Sequence, residues 1–201
     1  MENGIKAILF DMDGVLVDAC EWHYEALNKA LTKNGLNPID RTDHLSVYNG
    51  LPTKKKLHMM GLSGEMIDKV SADKKQFTAQ IVKERCKPDI QKHLILYALD
   101  GYKLACCSNA IKESVVDMLT KAKINEYFDL ILGNDEIENP KPNPEIYLKA
   151  FKELGVEPEE CLIIEDAPHG IEAAKASGAT CIAVRGYEDV NIDLFRRLGC
   201  L

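Results

Sequence analysis

The sequence predicts an α/β fold, a parallel sheet core with helices on both faces and an α-helical cap inserted near its start. Three observations carry this reading. Five short apolar runs, Ile5 to Phe10, Lys103 to Cys107, Leu130 to Leu132, Cys161 to Ile164 and Thr180 to Val184, have the length of strands. Amphipathic stretches of helical length separate the later runs, and regular alternation of strand and helix is the pattern of a parallel sheet. Residues 11 to 102 separate the first two runs, far more than one crossover helix needs, so something is inserted there.

The first run, ending Ile-Leu-Phe, lacks the polar alternation of a half-exposed strand, as expected of a strand covered on both faces. Within the insertion, Trp22 to Asn34, Thr53 to Met60 and Glu65 to Arg85 have helical spacing, with breaks at Gly35, Pro38, Gly50, Gly61 and Gly64. These make a small helical cap over residues 19–87, leaving 1–18 and 88–201 as the core domain. From about residue 89 the alternation resumes, with helices over Ile111 to Lys123, Pro144 to Leu154 and Gly170 to Ala176. The cap segment is basic, at +4, whereas the remainder carries −11. Lysines on solvated helix surfaces explain that excess as well as attraction of an anion does.

Composition narrows the class. With 201 residues, 46% hydrophobic and 28% charged, the chain can bury a core, which excludes disordered and collagenous proteins. A net charge of −7 argues against nucleic acid or an anionic membrane as partner, while leaving room for a small anionic substrate at a local site. No apolar stretch is long enough to span a membrane, and Met-Glu-Asn-Gly does not open a secretory leader. Seven cysteines, including the adjacent Cys106 and Cys107, cannot all pair within the chain; a reducing cytoplasm is expected. Cys106, Cys161 and Cys181 lie in apolar runs without a Cys-x-x-Cys spacing and read as core residues rather than zinc ligands.

Four segments carry chemistry. Asp11-Met12-Asp13-Gly14 follows the first strand, at the carboxyl end where ligands of open α/β sheets bind. Side chains two apart in an extended segment share a side, so Asp11 and Asp13 converge and need a cation or a shared proton. An ordinary acidic turn has the same composition. Glu165-Asp166 follows the fourth run, and the two acidic strand ends together can supply a Mg²⁺ site, although helix capping before Gly170 uses such residues too. Ser108-Asn109 precedes the helix near Ile111, where backbone N–H groups and a hydroxyl can hold a phosphoryl group or merely cap the helix. Lys141, in Asn-Pro-Lys-Pro-Asn-Pro, sits in a stiff turn that suits a positioned cation; a solvated loop lysine is the alternative.

In their order and spacing these segments resemble the haloacid dehalogenase-like hydrolases along most of the chain: Asp-x-Asp-Gly-Val, then Ser108, Lys141 and Glu165-Asp166. The resemblance implies a Rossmann-like core with the first strand central and the motifs meeting at one crevice. It is closer to the branch with a helical cap after the first strand, which includes β-phosphoglucomutase and sugar phosphatases. His23 stands at that branch's histidine position on the first cap helix, where its neighbours alone would suggest a surface residue. By resemblance Asp11 is the nucleophile, Asp13 the general acid and base, and Ser108 and Lys141 neutralise the phosphoryl oxygens. Mg²⁺ is held by Asp11, the Asp13 carbonyl and Asp166, with Glu165 direct or through water. Asn109, His23, Thr53 and Lys56 are the expected substrate contacts, and the cap closes over the site to exclude water and recognise the leaving group.

Two departures separate this chain from the mutases. Ala19 replaces the usual threonine after the opening motif, and Thr53 replaces the arginine that grips a distal phosphate. Lys54, Lys55 or Lys56 can stand in for it only as a flexible point charge. The expectation is therefore a Mg²⁺-dependent monomeric phosphatase acting on a small phosphorylated metabolite, a sugar phosphate first. A sugar phosphate mutase is the alternative, and a phosphoaspartate receiver or inactive binding protein a more distant one. Dehalogenases lack an aspartate at the Asp13 position.

Overall fold

The computed structural model describes residues 4–201. The elements run β1 (Ala7–Phe10), α1 (Cys20–Lys33), α2 (Arg41–Asp43) continuing into a π-helical turn (His44–Tyr48), α3 (Thr53–Met59), α4 (Glu65–Arg85) and α5 (Ile90–Ala98). They continue with β2 (Lys103–Cys107), α6 (Lys112–Lys121), β3 (Leu130–Leu132), α7 (Glu145–Leu154), β4 (Cys161–Glu165), α8 (Pro168–Ala176), β5 (Thr180–Ala183) and α9 (Ile192–Arg197). Two compact units result: Ala19–Cys86, and the segment ending at Asp18 together with Lys87–Leu201.

The larger unit is built on a parallel sheet in the order β3-β2-β1-β4-β5. Its central strand is buried along its whole length, which is why Ala-Ile-Leu-Phe carries no polar face. On one side Ala7 and Leu9 pack with Ile146, Tyr147 and Ala150 of α7 and with Ala173 and Ala174 of α8. On the other, the Phe10 ring meets Phe128 edge-on at 6.2 Å and Phe195 of α9 at 6.1 Å. Such ring pairs add about 0.5–1.5 kcal/mol each beyond the area they bury. Register decides where the chemistry goes. Phe10 is opposite Cys106 of β2 and Ile164 of β4, so Asp11, Cys107 and Glu165 arrive abreast at the carboxyl edge.

Two helices of this unit escape a reading by periodicity. In α5 apolar side chains surround the axis: Ile95 and Leu96 are buried while Ile90, Leu94 and Tyr97 are exposed, so no amphipathic contrast marks it. Tertiary bonds hold it instead. Lys92 is buried, donating to the carbonyls of Tyr187 at 2.8 Å and Val190 at 2.6 Å, and Tyr187 donates to Asp89 at the helix start. The six residues of α9 are too few to show a period. The first strand starts two residues later than its apolar run, and α8 starts at Pro168 rather than Gly170, since proline fits a first helical turn.

The smaller unit is helical. Leu27, Ala30 and Leu31 of α1 pack with Leu57 of α3 and with Ile67 and Val70 of α4. Lys33–Asp73 at 2.6 Å and Arg85–Glu25 at 2.7 Å tie α1 to α4 at its surface, where water screening leaves each pair little net stabilisation.

Candidate active site

The tip of β1 turns sharply. Gly14, at φ +85°, donates to the Val17 carbonyl at 2.7 Å, and the N–H groups of Leu16 and Val17 both reach the Met12 carbonyl. This compact turn holds Asp13 two residues beyond Asp11 at the same sheet edge. Asp11 is buried, its N–H bonded to the Ile164 carbonyl at 3.0 Å.

Lys141 reaches the same point from the loop after β3. Although it is a lysine, only 2% of it is exposed, and its ammonium has three acceptors: Asp11 Oδ1 at 2.6 Å, Glu165 Oε1 at 2.6 Å and the Cys107 carbonyl at 2.8 Å. Burial alone would lower its pKa, but Asp11 and Glu165 hold it well above the ordinary lysine value. The charge therefore stays. Its backbone is clamped by Asn109, whose amide oxygen accepts the Lys141 N–H at 3.1 Å and whose NH₂ donates to the Lys141 carbonyl at 3.3 Å. The Asn109 amide, expected as a substrate contact, thus fixes the lysine loop in this structure. Ser108 is buried, with its N–H on Leu132 and its hydroxyl accepting the Ala110 N–H at 3.1 Å.

Glu165 ends β4 fully buried. Its Oε1 takes Lys141 and the Tyr147 hydroxyl, the latter at 2.7 Å, and its Oε2 takes the Asp166 N–H at 3.2 Å. The slot for this carboxylate depends on a missing side chain. A Cβ on Gly170 would stand 1.9 Å from Glu165 Oε1. Gly170→Ala should therefore destabilise the protein by about 1–3 kcal/mol in chemical denaturation. Glycine to alanine inside an unstrained helix stabilises by roughly 1 kcal/mol, so the sign of the change tests the contact.

Among the described residues, Asp11 and Glu165 share the Lys141 ammonium, and the Asp13 and Asp166 carboxylates lie close enough to disfavour a charge on Asp11. Burial first, then Glu165, pushes the Asp11 carboxyl well above its ordinary value despite Lys141. Burial, then Glu165 and Asp13, pushes Asp166 up to about 7. Oxygen atoms of Asp11, Glu165 and Asp166 come within 4.8 Å of one another, and Asp166 Oδ1 is buried without a hydrogen-bond partner among the described residues. An all-oxygen, over-acidic set with an unsatisfied carboxylate fits a hard divalent cation.

The remaining expected residues lie in the helical unit. His23 is on α1, its Nδ1 3.4 Å from the Lys74 ammonium, and Thr53 opens α3. Lys56, anticipated as a flexible lysine, is instead buried on α3, while Lys54 is exposed and paired with Asp68 at 3.0 Å. Tyr147 and Gly170 escaped sequence reasoning because both look like packing residues. For Tyr147 a signal exists, since a tyrosine on the apolar stripe of a buried helix must find a partner for its hydroxyl.

Comparison with known proteins agrees with this geometry. The family model for haloacid dehalogenase-like hydrolases matches residues 8–184. A phosphorylated carbohydrates phosphatase of Thermotoga maritima is 30% identical over 181 residues, covering 87% of this chain and 82% of that protein. A phosphoglycolate phosphatase of Aquifex aeolicus is 33% identical over 189 residues, covering 93% and 88%. Among solved structures, a β-phosphoglucomutase from Clostridium difficile superposes with a TM-score of 0.79 at 28% identity, covering 92% of this chain and 87% of that one.

Proposed function

Because the chain belongs to the haloacid dehalogenase-like hydrolase family and is a phosphoric monoester hydrolase within it, we propose that it releases phosphate from a small sugar phosphate through a phosphoaspartate on Asp11. The observation that carries this reading is the buried Asp11 carboxylate, oriented by Lys141 at 2.6 Å and standing beside Asp13 at one sheet edge. Asp11 and Asp166 would hold Mg²⁺ together with the Asp13 carbonyl, while Glu165, already engaged by Lys141 and Tyr147, completes the acidic set. The metal would supply charge neutralisation at the transferring group and favour ionised carboxylates.

The reaction then proceeds on this chain's residues. An Asp11 carboxylate oxygen forms a bond to phosphorus as the ester P–O bond breaks, and the departing alkoxide takes the proton of Asp13. Lys141 and Ser108 stabilise charge on the phosphoryl oxygens. Asp13, now a carboxylate, removes a proton from water, whose oxygen attacks phosphorus. The Asp11–phosphorus bond breaks, releasing inorganic phosphate and restoring both carboxyl groups. His23, Thr53 and Lys56 are proposed as substrate-binding residues. All seven cysteines are free, burial pushes the Cys107 thiol up to about 12, and we place the enzyme in the reducing cytoplasm.

Phosphatase and mutase share the phosphoenzyme and differ in what they do with water. Thr53 cannot grip a distal phosphate as a planar arginine does. Given β-glucose 1-phosphate and a trace of the 1,6-bisphosphate, the protein should release phosphate or leave the substrate untouched, rather than accumulate glucose 6-phosphate. Rapid glucose 6-phosphate formation with little free phosphate would overturn the hydrolase reading. Phosphate release across sugar phosphates, nucleotides and polyol phosphates identifies the substrate.

A further inference from the structure

We propose that Tyr147 is a positioning residue of this reaction: its hydroxyl shares Glu165 with Lys141 and thereby keeps the lysine ammonium on Asp11. The inference rests on the phosphatase reading for its kinetic consequence, but its geometric claim stands within the α/β unit alone. Tyr147 is wholly buried on α7, six residues after Lys141. Its hydroxyl donates to Glu165 Oε1 at 2.7 Å, the same oxygen that Lys141 reaches at 2.6 Å. The Lys141 ammonium also lies 4.9 Å from the centre of the Tyr147 ring, so the tyrosine touches both members of that pair.

The consequence follows from counting donors and acceptors. An ammonium has three protons, and those of Lys141 are divided among Asp11, Glu165 and the Cys107 carbonyl. Glu165 and Asp11 compete for one cation. Glu165 is the more buried of the two, and at Oε1 its charge is offset by the phenol as well as by the lysine. With the phenol removed, Lys141 is left as the one donor to that oxygen among the described residues and is drawn towards Glu165, loosening its bond to Asp11. The lysine's hold on the nucleophile therefore depends on a hydroxyl that touches neither nucleophile nor substrate.

The test is Tyr147→Phe, which keeps the ring. The expected result is a fall in kcat of about 10- to 100-fold, the range for outer-shell partners of active-site groups, with KM changed less than about twofold. In the free protein, the ¹H–¹⁵N NMR signal of the buried Lys141 ammonium should shift, whatever the activity. 3-Fluorotyrosine at position 147, close in shape but with a more acidic phenol and so a stronger donor to Glu165, should shift the ammonium signal in the opposite sense without loss of kcat, and serves if the phenylalanine variant does not fold. An unchanged ammonium signal in either folded variant, or a kcat within twofold of the parent in folded Tyr147→Phe, overturns the proposal. If the parent hydrolyses no phosphate ester yet the signal moves, the phosphatase reading falls and the positioning of Lys141 by Tyr147 stands.

Discussion

Replacing Asp11 with asparagine should lower phosphate release by about 10⁴-fold or more, while Asp13→Asn leaves an enzyme that can still be phosphorylated. The two carboxylates stand two residues apart, and on the proposed mechanism their mutants separate because only Asp11 would form a bond to phosphorus. Asparagine keeps an oxygen for Lys141 at position 11, so the fold should survive. Its thermal stability should even rise, because burial and Glu165 disfavour a charge at Asp11. In Asp13→Asn the missing function is proton transfer. With an ester of an acidic alcohol such as p-nitrophenol, the leaving group needs no proton, so the first half-reaction proceeds. Water is then not activated, and the phosphoenzyme accumulates. Intact-protein mass spectrometry should show one added phosphoryl group on Asp13→Asn and none on Asp11→Asn. Equal phosphorylation of both variants would remove Asp11 from its role.

Chelation should abolish turnover reversibly, with activity in EDTA about a hundredfold or more below that in Mg²⁺, since metal neutralisation contributes several kcal/mol. Among the described residues, Asp11 and Glu165 share the Lys141 ammonium with Asp13 and Asp166 close by, and Asp166 Oδ1 has no hydrogen-bond partner, so the site is over-charged as built from protein alone. Mg²⁺ bound there would relieve this repulsion and should stabilise the fold, by about 2.7 kcal/mol at a concentration 100 times its Kd. Asp166→Asn should lose most of that thermal gain, which ties the effect to the site. Ca²⁺ should also stabilise the protein while supporting little turnover, because it accepts longer and more numerous oxygen contacts than a compact transition state allows. Full activity in EDTA, or identical Mg²⁺ stabilisation of parent and Asp166→Asn, would refute the metal site.

Strands, motifs and the helical insertion were legible in the chain because each is a local property. A strand covered on both faces has little need of polar residues, so the runs Ile5 to Phe10, Lys103 to Cys107 and Cys161 to Ile164 stand out. Residues just after such strands face the crevice, which marks Asp11, Ser108 and Asp166. Tertiary structure decided what depends on partners far apart in sequence. Asn109 was legible as a polar residue after a strand, but that its amide would clamp the Lys141 backbone, 32 residues away, was not. Lys56 sits in a run of three lysines that reads as solvated, yet it is buried, because helical rotation turns one of three consecutive side chains inward. α5 carries no periodic signature and is held by Lys92 reaching the carbonyls of Tyr187 and Val190. Tyr147 and Gly170 look like ordinary helix residues until β4 brings Glu165 between them. A hydrogen-bond partner and a close approach are relations between two positions, and only the packed chain specifies the second.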